Sequence, residues 1–139
     1  MGSNPLQMPE SMSIPEIAFD DSLPHMDREQ IDMLLMVDDD EDPTSLLREL
    51  FGLFEMEGKE KMESLHQVCV DNDQTALRKI VHFVAGSAGN LGLSRLCLFY
   101  RAIEHAVDEG RFSTIAHCEM PVLKSFEKAC DSFRKEFEI

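Results

Sequence analysis

The chain predicts an all-α protein: an antiparallel up-down four-helix bundle with an additional short N-terminal helix. Two observations carry this. Apolar residues recur at steps of three and four through four long stretches, the 3.6-residue period of helices that each bury one stripe. Short breaks such as Asp71-Asn72-Asp73 and Gly110 separate those stretches, and short connections set sequential helices antiparallel.

In chain order, residues 1–22 mix Pro, Ser and acids without a sustained period and predict a flexible tail. The bundle domain is expected over residues 23–139. Met1-Gly2-Ser3, a start that expression vectors often add, is set aside from the fold reading. Ile14, Ile17 and Phe19 are the tail residues suited to pinning part of it to the bundle. Asp27 to Val37 predicts the short helix, opened by Asp27 and Gln30 in a capping-box arrangement and faced by Ile31, Leu34 and Leu35. The charge run Asp38 to Asp42 reads as a solvated connector, because a calcium loop spaces its acids around a central Gly.

Pro43 to about Val70 predicts one long helix, capped by Asp42 with Pro43 at its first position. Leu47, Phe51, Phe54, Gly58, Met62, Leu65 and Cys69 form its inner stripe. The opposite face carries Arg48, Glu49, Glu55, Lys59, Glu60 and Glu63. Asp73 caps a second helix, Ala76 to Gly92, with Leu77, Val81, Val84, Ala88 and Leu91 inward. Ser94 to Glu109 is the third, burying Leu96, Phe99, Tyr100, Ile103, Ala106 and Val107, leaving Leu98 outside and stopping at Gly110. Ser113 or Thr114 caps the fourth, which runs to about Phe137 with Ile115, Val122, Phe126, Ala129 and Phe133 inward. Pro121 predicts a kink there or a late true start.

At 139 residues the chain fits one domain with a core of its own. Its net charge of -14 argues against nucleic acid and against an anionic membrane surface. No apolar run approaches the roughly 18 residues that span a bilayer, and no secretory signal opens the chain. Cys69, Cys97, Cys118 and Cys130 form no C-x-x-C pair and read as reduced, mostly buried thiols of a cytoplasmic protein. Their spacing does not suit a zinc site, and no metal site is expected.

His82 is the residue that suggests chemistry. At about 100° per residue it falls roughly 140° from the centre of its helix's inner stripe, on the wet side. Gly86 lies one turn beyond it, and Gly89 one turn beyond Ala85. Each mid-helix glycine costs about 1 kcal/mol relative to alanine, so bare backbone here suits a large partner coming close to an exposed imidazole. His25, His66, His105 and His117 read as solvated surface histidines.

The run HFVAGSAGNLGL, then SRLCLFYRAIEHA, resembles the signature of histidine-containing phosphotransfer (HPt) domains over about residues 26 to 138. His82, Gly86, Ser87, Leu91, Gly92, Arg95, Leu96, Ile103 and Glu104 match its motif; Ala85 stands where the family has Lys. The resemblance implies a phosphorelay protein that accepts a phosphoryl group on His82 from a receiver-domain aspartate and passes it to another. The partner would be the receiver of a response regulator or hybrid histidine kinase. The chain would be a phosphocarrier, not an enzyme, with no cofactor of its own and a divalent metal in the partner. No small-molecule substrate is expected, and a monomer is favoured over a dimer.

The chemistry is consistent with that implication, since a neutral imidazole nitrogen is a good nucleophile toward an acyl phosphate. Between Gln74 and Ile103 the charged residues are Arg78, Lys79, Arg95 and Arg101, a basic region suited to a carboxylate-lined pocket. Arg78, Lys79, Phe83, Ala85, Gly86, Ser87, Gly89 and Asn90 are the supporting or docking residues expected around His82. A Lys at position 85 would lean back over the imidazole, so Ala85 is expected to weaken the hold on the phosphoryl group. The runner-up is an adaptor that docks on a receiver or kinase without accepting phosphate.

Overall fold

A computed structural model describes residues 13–20, 22–36, 42 and 44–139. Among the described residues six α-helices follow in order: α1 (Arg28–Met36), α2 (Ser45–Met62), α3 (Leu65–Val70), α4 (Gln74–Leu91), α5 (Ser94–Asp108) and α6 (Glu119–Phe137). A short 3₁₀ turn, Ala116–Cys118, precedes α6.

The first long helix departs from expectation. It breaks at Glu63 and Ser64 into α2 and α3. Neither residue is Gly or Pro. The Glu63 amide instead shares two carbonyls, Glu60 and Lys59, and Ser64 Oγ turns back to the Lys61 carbonyl at 3.2 Å. Such a serine offers the backbone an alternative to the regular ladder. The stripe survives the break, because Leu65, Val68 and Cys69 stay buried in line with Leu47, Phe51, Phe54 and Gly58. The helix starts at Ser45; Asp42 Oδ1 takes the Thr44 amide at 2.9 Å. Pro43, Val37 and most of the acidic run lie outside the described residues.

The start of α6 also departs, since it lies at Glu119 behind Cys118 with no side-chain cap, and neither Ser113 nor Thr114 opens it; the ends of α4 and the start of α1 follow the sequence. Asp73 accepts from the Ala76 amide at 3.0 Å to open α4, and Gly92 closes it at φ +88°. A side chain at Gly92 would be strained by that φ and would meet Ile31 Cγ1 at 2.9 Å. Asp27 Oδ1 caps α1 through the Glu29 and Gln30 amides. Pro121 sits in the first turn of α6, so the late start is the outcome.

Facing residues give the directions. Arg78 pairs with Asp108, His82 with Glu104, and Gly89 faces Cys97, so α4 and α5 run antiparallel. Phe51 stacks on Phe133 and Phe54 lies against Phe126, which sets α2 antiparallel to α6. Tyr100 donates to the Val122 carbonyl across α5 and α6. With α2 and α3 counted as one rod, this is the up-down bundle.

The leader is not a free tail where it is described. Ile14 is 3% exposed, Phe19 packs edge-on against Phe99 with ring centroids 5.1 Å apart, and Glu16 meets His117 at 2.7 Å. Asp27 then donates its amide to the Gly92 carbonyl and Gln30 its side chain to that of Asn90, which ties α1 to the end of α4. Among the described residues no helix is long and apolar enough to cross a membrane, and no group of three metal-ligating side chains converges. All four cysteines are free; burial pushes the Cys118 and Cys130 thiols up to about 12.

Candidate functional site

The centre of the site is one carboxylate that sequence reasoning left off the list of supporting residues. Glu104, on α5, is buried, its side chain 8% exposed. Three basic side chains converge on it. His82 Nδ1 lies 2.6 Å from Oε2, Arg101 Nη1 lies 3.1 Å from Oε1, and Arg78 Nη2 lies 3.5 Å from Oε2. Burial alone would raise this carboxyl and is the largest single influence on it. The hydrogen bonds and charges of His82 and Arg101 together outweigh burial and hold it below the ordinary glutamate range.

The contact with Glu104 decides the histidine's tautomer. Arg101 Nη1 also lies 3.1 Å from His82 Nδ1, but arginine only donates and carboxylate only accepts. Nδ1 cannot serve both. The Glu104 contact is shorter, and Arg101 has its own acceptor in Oε1, so we assign the proton to Nδ1. The lone pair is then on Nε2, which has no partner among the described residues. The side chain is 59% exposed, so Nε2 is open to solvent while the other ring nitrogen is anchored.

The remaining expected residues separate. Gly86 has nothing near its missing side chain except Arg101 Nη2 at 4.0 Å, so the backbone beside the imidazole is bare. Gly89 is a packing glycine, because a Cβ there would stand 3.3 Å from Cys97 Sγ on α5. It therefore does not extend the open surface. Ala85 is fully buried and presents nothing to a partner, so a Lys in its place would start from inside the core. Ser87 turns toward α2 and shares a cleft with Leu53, Phe54, Glu57 and Asn90. Asn90 is exposed and its carbonyl is taken by Gln30. Phe83 is 36% exposed, with Lys61 Nζ of α2 4.6 Å from its ring centroid.

The basic region is not the free +4 that the sequence suggests. Arg78 is bound in two places to Asp108, Nε to Oδ1 at 2.6 Å and Nη2 to Oδ2 at 3.2 Å. Arg101 is held by Glu104, and Arg95 lies against His25, away from His82. Lys79 is exposed and has no ion pair among the described residues. His25 is half-buried, not solvated; burial first, then Arg95 and Lys128, lower its pKa. His66 and His117 are paired with Glu119 and Glu16.

The signal for Glu104 was present in the sequence. It stands one turn after Tyr100 and beside Ile103, an acid at the edge of a stripe the period marks as buried.

The fold resembles the crystal structure of histidine-containing phosphotransfer protein B from Pseudomonas aeruginosa PAO1. The match has a TM-score of 0.66 and 22% identity, over 81% of this chain and 94% of that one. No curated protein matches the chain. The profile of the Hpt domain matches residues 49–132, more than half of the chain, and spans α4 and α5 with both His82 and Glu104. The chain belongs to the Hpt domain family and is a histidine phosphotransfer protein of the phosphorelay kind.

Proposed function

We propose that His82 Nε2 takes a phosphoryl group from the aspartyl phosphate of a receiver domain and gives it to a second receiver aspartate. In the forward step the Nε2 lone pair forms the N–P bond. The P–O bond to the aspartate breaks, and the carboxylate leaves with the electron pair. No proton needs to move. The ring then carries hydrogen on Nδ1 and phosphorus on Nε2, so it gains positive charge. Glu104, fixed 2.6 Å from Nδ1, stabilises that charge as it forms. In the reverse step the same nitrogen leaves as a neutral imidazole, which makes the phosphohistidine a good donor.

The observation that carries this reading is a histidine with one nitrogen anchored on a buried carboxylate and the other open to solvent. Gly86 leaves the approach beside it clear. The chain supplies the nucleophile, its tautomer and the charge behind it; the receiver would bring the acyl phosphate and the divalent metal. On this reading the chain is a phosphocarrier acting in the cytoplasm as a monomer, without a cofactor of its own.

The test is incubation with a phosphorylated receiver. Wild-type chain should take up acid-labile, base-stable label, and phosphorus NMR should assign it to Nε2. His82→Gln should take up none. Label that persists in His82→Gln refutes the assignment. Tight binding without label on the wild type would favour the adaptor.

A further inference from the structure

We propose that Arg101 is the side chain that grips the phosphoryl group once it is on His82. This rests on the reading that Nε2 is the acceptor. A phosphoryl group brings close to two negative charges and several acceptor oxygens, and it needs a cation within reach. Helix α4 does not offer one on the far side of the ring. The residues that follow His82 are Phe83, Val84, Ala85, Gly86 and Ser87, and Ala85 is buried. Arg78 is held in two places by Asp108. Lys79 lies about one turn before His82 and leans toward its own helix N-terminus, away from the ring.

Arg101 comes from α5 instead. Its Nη1 is 3.1 Å from His82 Nδ1, and its Nη2 is 4.0 Å from where a Gly86 side chain would begin. The guanidinium therefore lies along the bare backbone beside the imidazole. It is 36% exposed, so it has solvent to turn through.

Its release would free Glu104 Oε1 but leave Oε2 partnered. That carboxylate keeps His82 at 2.6 Å and has Arg78 at 3.5 Å. Charge balance favours the same movement. In the resting state Arg78 and Arg101 offset Glu104 and Asp108. The incoming phosphoryl group is uncompensated until a cation turns to it. The guanidinium fork suits phosphate oxygens, because two parallel N–H donors meet two acceptors. Arg101 keeps its protons throughout and takes no part in bond making. It stabilises the transferring group and then the phosphohistidine. The glycine at 86 thus has a second use, leaving the path of that side chain clear.

The experiment uses the full chain, labelled by a phosphorylated receiver that is then removed. Initial transfer rate and phosphohistidine lifetime are measured for wild type, Arg101→Gln, Arg101→Lys and Lys124→Gln. Losing a charge-assisted contact predicts a fall of about tenfold in transfer rate for Arg101→Gln, with a shorter lifetime. Arg101→Lys should recover part of both. Lys124→Gln, which removes the same charge from α6, should match wild type. The His82 Nδ1 proton resonance should persist in Arg101→Gln, showing that the anchor on Glu104 is intact. Wild-type rate and lifetime in Arg101→Gln overturn the proposal. So does a loss of rate that accompanies loss of the Nδ1 resonance and is not eased by lysine, since Arg101 would then act only by positioning Glu104. Absence of label on the wild type overturns the His82 reading itself, a different failure.

Discussion

At the scale of single residues, the site depends on where one proton sits. An isolated imidazole exchanges between tautomers, and only the form with hydrogen on Nδ1 offers Nε2 as the nucleophile. Glu104 selects that form at 2.6 Å. Glu104→Gln keeps an acceptor but removes the charge, so transfer from a receiver should slow by about tenfold or more, the scale of a charge-assisted hydrogen bond. The same variant has a pH signature. The carboxyl is held below its ordinary value of 4.5. Its contribution to stability is therefore complete above that value and lost as pH falls through the lower, folded one. Melting temperatures of wild type and Glu104→Gln should differ most near neutral pH and converge once pH has fallen below the depressed folded value. A gap that is constant with pH would refute the linkage.

At the scale of elements, the glycines divide by what they face. Gly58 in α2 is a packing position: a Cβ there would stand 2.4 Å from Phe126 Cε2 and Cζ, and that ring is itself packed against Phe54. Gly58→Ala should destabilise by about 1–3 kcal/mol, read from the urea midpoint, because the core has no room to give. Gly86→Ala meets only Arg101 Nη2 at 4.0 Å. It should stabilise by about 0.5–1 kcal/mol through helix propensity. The same substitution should slow transfer, because it crowds the approach to His82. Opposite signs in one protein separate packing from access. The α4–α5 pair works as a unit here, since its antiparallel register sets Arg101 and Glu104 beside His82.

Across the whole molecule, the described part of the leader is seated apart from the site. Among the described residues, Phe19 packs on Phe99, Glu16 meets His117 and His25 meets Arg95, three contacts that lie away from His82, Arg101 and Glu104. Ile14→Ala should cost about 2–4 kcal/mol, as truncation of a buried aliphatic side chain does, with the transfer rate unchanged at a temperature where the chain is folded. A fall in rate that tracks the fall in stability would instead show that the leader braces the site. The Hpt profile begins at residue 49, so this N-terminal brace lies outside the part that the family match covers.

What the sequence determined by itself was whatever depends on local spacing. The inner stripes of α4, α5 and α6, the Asp73 and Gly92 ends of α4, and an exposed His82 all follow from a period of 3.6 and from capping chemistry. The glycines beside His82 were legible as unusual, but not what each one faced. The break at Ser64 was hidden, because both halves keep one stripe and no Gly or Pro marks it. Only the tertiary structure decided the electrostatics. Arg78 and Arg101 count as free positive charge in the sequence, yet acids at Glu104 and Asp108, from 3 to 30 residues away in the chain, neutralise them. Ala85 looks like a surface position beside His82 and is buried. The physical reason is the same in each case. A helix's own geometry fixes the direction of a side chain, but the neighbour it meets is set by the register of another helix, which a single sequence does not record.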